Sequence, residues 1–163
     1  MVDLLARVRR LRQAGSRIDV FLFDVEAAEG GPTRDLRMAG HLSEYLRGHP
    51  GRAVLVLSGN YHARVAVGAP WNPAQEFMGW HLAQRGEQVA SLDWDGPPGS
   101  AWACFSAVAA ECGPKKVELD RGAGAPPPPG VHLFPARSPE GYDGKLTVGS
   151  LTASPPAVAG SNR

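Results

Sequence analysis

His62 stands where chemistry is easiest to build. It follows the run Ala53-Val-Leu-Val-Leu and the turn residues Ser58, Gly59 and Asn60. A neutral imidazole can act as base, acid or metal ligand near pH 7. Two carboxylates, Asp24 and Glu26, follow an earlier apolar stretch in the same way. Carboxylates beside an imidazole can orient it, share a metal with it, or divide acid and base roles with it. Arg34 and Asp35 open the next helical segment, where an arginine can clamp an anion with two hydrogen bonds. Asn60, Tyr61 and Arg64 flank the histidine as candidate substrate-binding groups.

Each of these residues also has a plain structural use. His62 can bond a backbone carbonyl, and Asp24 can cap the turn after a strand. Asp35 suits the first turn of a helix by its charge. Asn60 can simply occupy a left-handed turn. His41 and His81 fall on helical segments, as surface or packing residues, and His132 follows a run of four prolines. Arg7, Arg9, Arg10 and Arg12 lie mostly off the apolar face of the first helix. They read as a solvated helix face, with a phosphate or nucleic-acid patch as the alternative.

The elements that must position these groups follow from periodicity. Residues 3–14 read as a helix with Leu4, Leu5, Val8 and Leu11 on one face, stopped by Gly15. Residues 17–23 read as a strand. A helix follows over about 34–47, with Thr33 as N-cap and Met38, Leu42, Tyr45 and Leu46 inward. Residues 52–58 read as a strand whose apolar run, Ala53 to Leu57, is of the kind that is buried on both faces of a parallel sheet. A helix over about 73–84 would turn Phe77, Met78, His81 and Leu82 inward and stop at Gly86, and 88–94 would be a third strand. Crossovers of about 25 to 30 residues containing helices imply parallel strands, which would set Asp24, His62 and Asp93 along one sheet edge. Beyond residue 95 the pattern loosens. Residues 101–110 fit a strand or a short helix, with short strands at 117–119 and 131–134 and a turn into a last strand at 141–149.

The totals narrow the class. The chain has 163 residues, 43% of them hydrophobic, and its 17 basic and 16 acidic residues leave a formal +1. That balance gives no global attraction to nucleic acid. No run of about 18 apolar residues exists to span a membrane, and no signal peptide is evident. Cys104 and Cys112 lack zinc-ligand spacing and read as reduced, buried thiols. The chain has no Gly-x-Gly-x-x-Gly, no Gly-Lys-Ser/Thr, no Gly-x-Ser-x-Gly and no His-Glu-x-x-His, which removes support for nucleotide and hydride chemistry. The expected fold class is α/β, a mostly parallel sheet with βαβ crossovers and a looser Pro/Gly-rich C-terminal third. It would form one domain over 1–157 with a flexible tail at 158–163.

Several segments, in order, resemble one superfamily, which joins the erythromycin-esterase-like enzymes, the haem-binding uptake proteins and the TraB/Tiki proteins. Arg34-Asp-Leu-Arg-Met-Ala39 resembles its Arg-Asp-x-x-Met-Ala helix start, and Leu57-Ser-Gly-Asn-Tyr-His62-Ala resembles the strand that delivers its site histidine. Leu4 to Phe23, Leu82-Ala-Gln-Arg-Gly86 with Val89, and Tyr142-Asp143 through Thr152 resemble further steps of the same pattern. The resemblance implies that His62 lines the site with Arg34 and Asp35 nearby. It also exposes a departure: the family's earlier half, with a Gly-Glu-x-His-type strand end, has no counterpart here. The chain is therefore expected to match the family's C-terminal half, with a homo-oligomer or a partner chain supplying the rest.

The resulting expectation is a hydrolase of an ester or amide bond. His62 would be the general base, Asp24 or Glu26 its orienting carboxylate, and Arg34 the anion or oxyanion stabiliser. No cofactor is needed on that reading. The alternatives are a binding module, with His62, alone or with Tyr61 or His132, ligating haem iron or a divalent metal, and a non-catalytic remnant. A small-molecule substrate or ligand is expected, without nucleic acid or a membrane span, in the cytoplasm.

Overall fold

The computed structural model describes residues 2–25, 33–95, 99–104, 112–117, 127–149 and 151–153. Glu26 and the expected tail at 158–163 lie outside them. Four helices, α1 (Val2–Gln13), α2 (Arg34–Gly48), α3 (Asn60–Ala63) and α4 (Met78–Gln84), precede five short strands. These are β1 (Leu92–Asp95), β2 (Gly99–Cys104), β3 (Cys112–Val117), β4 (Gly130–Leu133) and β5 (Gly144–Thr147).

The core is made by α2 and α4. Met38, Ala39 and Leu42 on one helix meet Met78 and Leu82 on the other, all buried. Their spacing follows from helical period, and burying a side chain such as Met38 or Leu42 contributes about 1.5–3 kcal/mol. Thr33 caps α2 by accepting from the backbone N–H of Leu36 at 3.3 Å. Phe77, Met78, His81 and Leu82 face inward as their spacing predicts. Gly15 and Gly86 end α1 and α4 with φ of 90° and 82°. Each is the left-handed residue of a paired-bond terminus, as in Ser16 N–H to Leu11 C=O and Gly15 N–H to Arg12 C=O.

The expected mostly parallel sheet with βαβ crossovers does not form. One sheet has the order β1-β5-β4, with β1 and β5 parallel and β4 and β5 antiparallel, while β2 and β3 make a separate antiparallel pair. Residues 18–25 and 52–59 form no strand and join no ladder. Val54 and Val56 pack against the core, as do Phe23 and Val25. Leu55 is 98% exposed, Leu57 64% and Leu22 87%. These segments therefore lie on the helices by one face only, and the expectation of burial on both faces is overturned. Apolar composition reports affinity for a core; it does not report a hydrogen-bonded neighbour.

The helix expected from residue 73 starts later, at Met78. Asn72 explains the delay. Its side-chain carbonyl accepts from Ala74 N–H at 3.0 Å, while its backbone exchanges two bonds with Ala69. Such a side-chain-closed turn competes with helix. The cysteines are corrected as well. Cys112 is disulfide-bonded, and Cys104, the chain's one other cysteine, is its Cα partner across the β2–β3 ladder.

Gly79 lets α4 approach the end of α3. A Cβ there would sit 2.5 Å from the Ala63 carbonyl oxygen and 2.7 Å from that of Arg64. Backbone atoms cannot step aside as a flexible side chain would. Gly79→Ala should therefore cost about 1–3 kcal/mol in a urea melt, and an unchanged midpoint would show that this contact does not hold the two elements together.

Candidate functional site

His62 lies on α3, a single turn too short to stand alone. Tertiary bonds hold it from several sides. The Asn60 amide donates to Asp93 Oδ1 at 2.7 Å and the Tyr142 hydroxyl donates to the Asn60 carbonyl at 3.0 Å. The Ser91 hydroxyl donates to the Ala63 carbonyl. Burial raises the Tyr142 hydroxyl to about 12, so it remains a donor.

The fourth tie is chemical. His62 Nδ1 lies 2.7 Å from Asp35 Oδ1, and the same oxygen accepts the Met78 backbone N–H at 2.8 Å. Asp35 is in the first turn of α2 and Met78 is the first residue of α4. Phe77, the N-cap of α4, supplies no side-chain bond. Asp35 therefore caps a helix other than its own. An ionised carboxylate only accepts, which assigns the proton to Nδ1 of a neutral imidazole and leaves Nε2 with its lone pair. The Asp35 side chain is 9% exposed and that of His62 is 29% exposed. A buried carboxylate thus orients an imidazole that still reaches solvent, and Nε2 makes no hydrogen bond to the described residues.

The other candidates are placed differently from expectation. Asp24 receives two bonds from Arg34, at 2.9 and 2.6 Å, with both side chains about half exposed. The Arg34 guanidinium holds the Asp24 carboxyl below its ordinary range, with the charge of His62 a smaller contributor. Asp24 is thus close enough to feel the imidazole, but Asp35 is the carboxylate bonded to it, and Arg34 is engaged by Asp24. Arg64 donates to the Glu140 carbonyl at 2.8 Å and lies over the Tyr61 and Phe77 rings. Tyr61 meets Trp71 edge-on with centroids 4.6 Å apart. Asn60 and Arg64 are bound into the scaffold, whereas Tyr61 is 40% exposed. Asp93 reaches the cluster through Asn60, but the expected alignment of Asp24, His62 and Asp93 along one sheet edge does not form, because Asp24 and His62 belong to no strand.

Residues distant in sequence complete the support. Asp143 accepts two bonds from Arg137 and one from Ser91 N–H, all between 2.8 and 2.9 Å. Arg137 in turn holds Asp143 below the usual carboxylate range. This lock fixes the 137–143 loop, and with it Tyr142, against α3. Spacing alone gives no sign of it.

A divalent metal would need several ligands, whereas haem iron can be held by a single histidine. Among the described residues no three His, Cys, Asp or Glu side chains converge as a metal site. The Tyr61 ring is packed on Trp71, and His132 Nε2 lies 2.7 Å from the Pro128 carbonyl. The described residues thus do not assemble a divalent-metal ligand set around His62. No family model matches the chain, and no curated protein and no solved structure matches it. Among the described residues no helix is long and apolar enough to cross a membrane.

His81 is buried beside this cluster. Its Nε2 has no hydrogen-bond partner and lies 3.6 Å from Glu76 Oε2. Burial lowers its affinity for a proton from the ordinary value of 6.5, opposed by the charges of Glu76 and Asp35 and aided by that of Arg85. Below about 6.5 the unfolded chain therefore binds a proton that the folded one refuses. His81 contributes stability above that pH and loses it as the pH falls toward the folded value. Thermal melts across this window should show wild type losing midpoint on acidification and His81→Leu losing less, and parallel profiles would contradict the assignment.

Proposed function

We propose that the chain is a hydrolase of a small ester or amide, with His62 as general base and Asp35 as its orienting carboxylate. The observation that carries this is the 2.7 Å Nδ1–Oδ1 bond between a solvent-reaching imidazole and a buried carboxylate. The pair has the division of labour seen wherever histidine activates a hydroxyl or water. The carboxylate selects the tautomer and stabilises the imidazolium that forms, while Nε2 takes the proton. Attack of the relieved water on the carbonyl and collapse of the tetrahedral adduct, with the proton passing from Nε2 to the leaving group, yield acid and alcohol or amine.

The segments that resemble the erythromycin-esterase-like superfamily support the same reading, since Arg34-Asp and Asn-Tyr-His62 are two of its quoted motifs. Tyr61, exposed beside His62, is the substrate-facing side chain on this proposal. The Asp24–Arg34 pair borders the site, where an anionic substrate group would compete with Asp24 for the guanidinium.

Hydrolysis of a chromogenic ester should vanish in His62→Ala, a variant expected to stay folded by circular dichroism but to lose about 1–3 kcal/mol of stability, because the buried Asp35 carboxylate gives up one of its bonds. Asp35→Asn should lower the rate about 10²–10⁴-fold. Its Oδ1 still accepts from Met78 N–H, so the fold is expected to persist. A rate in His62→Ala equal to wild type would defeat the proposal.

A further inference from the structure

α1 carries a feature that the site leaves unused. Its sequence is Val-Asp-Leu-Leu-Ala-Arg-Val-Arg-Arg-Leu-Arg-Gln. Four arginines and one aspartate give it a formal +3, against +1 for the whole chain. Positive charge is thus concentrated on this helix, and the remainder is weakly acidic. Arg7, Arg9 and Arg10 make no ion pair among the described residues. Arg12 has a 3.8 Å contact with Asp19, both well exposed.

The apolar side of the helix is also open. Leu4 is 47% and Leu5 48% exposed, and Val8 and Leu11 are only half-buried. Positions 4, 8 and 11 follow one helical stripe, with 5 beside it. At 100° per residue, Arg7 borders Leu11 and Leu4 on one side, Arg9 lies beyond Leu5 on the other, and Arg12 falls between Val8 and Leu5 one to two turns farther along the helix. Long arginine stems can lie along such a border with the guanidinium in a polar layer. Leu5, Ala6, Arg9, Arg10 and Gln13 form an open surface, and Leu5 and Val8 adjoin Val20. Val20 is itself 51% exposed and Leu22 87%.

We propose that α1 docks on an anionic lipid surface, lying in the plane of the interface with Leu4 and Leu5 in the acyl boundary and the arginines at the headgroups. Charge complementarity names the partner, and the leucines distinguish it from a nucleic acid. Phosphate backbones are bound by cations and hydrogen-bond donors and give no reward for exposed leucine. A bilayer interface rewards both. The helix is far too short and too charged to span, so it would lie on the membrane.

Co-sedimentation of the full chain with vesicles tests this. Binding should occur with phosphatidylcholine mixed with phosphatidylserine and fall with added salt, and should be at least tenfold weaker with phosphatidylcholine alone. Near an anionic leaflet each arginine is worth about fivefold, so Arg9→Glu with Arg10→Glu should cost more than tenfold. Leu4→Ser with Leu5→Ser should weaken binding several-fold at unchanged charge. Leu5→Trp, which keeps an apolar side chain, should show a blue-shifted emission when phosphatidylserine vesicles are added, read as the difference from wild type with its four native tryptophans, and it serves if the double variant proves unstable by circular dichroism. The proposal is overturned by absence of binding to the mixed vesicles, or by no emission shift. It is equally overturned if a folded leucine variant binds as wild type does, or if single-stranded RNA is bound more tightly than the vesicles.

Discussion

Much of this structure depends on one carboxylate. Asp35 lies in the first turn of α2 and caps α4 through Met78 N–H, so its negative charge sits near two helix N-termini. Burying a carboxylate is costly unless hydrogen bonds replace its water. Here two charge-assisted bonds and two helix dipoles do so. The same oxygen that joins the helices also holds the His62 ring. Structure and candidate chemistry therefore share a single atom, and the imidazole cannot be set without also setting the α2–α4 pair.

The opposite side of α3 is held by residues from the far end of the chain. Arg137, Asp143 and Ser91 form a lock around the 137–143 loop, which places the Tyr142 hydroxyl on the Asn60 carbonyl. A four-residue helix gains nothing from its own propensity. Its conformation is imposed by Asn60, Ala63 and His62, each tied to a different partner. Gly79 completes this arrangement by allowing backbone to meet backbone. The site is thus narrow and well braced, while the segments 18–25 and 52–59 beside it keep one apolar face open.

What could be read from sequence follows from which interactions are local. Helical period identified Met38 and Leu42 on one element and Phe77, Met78, His81 and Leu82 on another. Caps at Thr33, Gly15 and Gly86 obey rules that span a few residues. Pairing was not legible. Leu55 and Leu57 belong to an apolar run that satisfies the composition of a buried strand, yet no ladder forms and both remain exposed. Cys104 and Cys112 become neighbours only once the hairpin register exists. Asp35 drew two explanations, helix dipole and site residue, and the geometry accommodates both. Its choice of His62, in place of Asp24 or Glu26 serving the imidazole, depends on how α2 meets α3, which no local pattern encodes.

The central claim is that the Asp35 carboxylate fixes His62 as the tautomer protonated on Nδ1. Long-range proton–nitrogen correlation spectra of the histidine rings test it directly. The account predicts that the neutral His62 ring carries its proton on Nδ1, with a slowly exchanging, downfield-shifted signal that is lost or moved in Asp35→Asn. A His62 ring protonated on Nε2, or one averaging between tautomers as a free imidazole does, would contradict it.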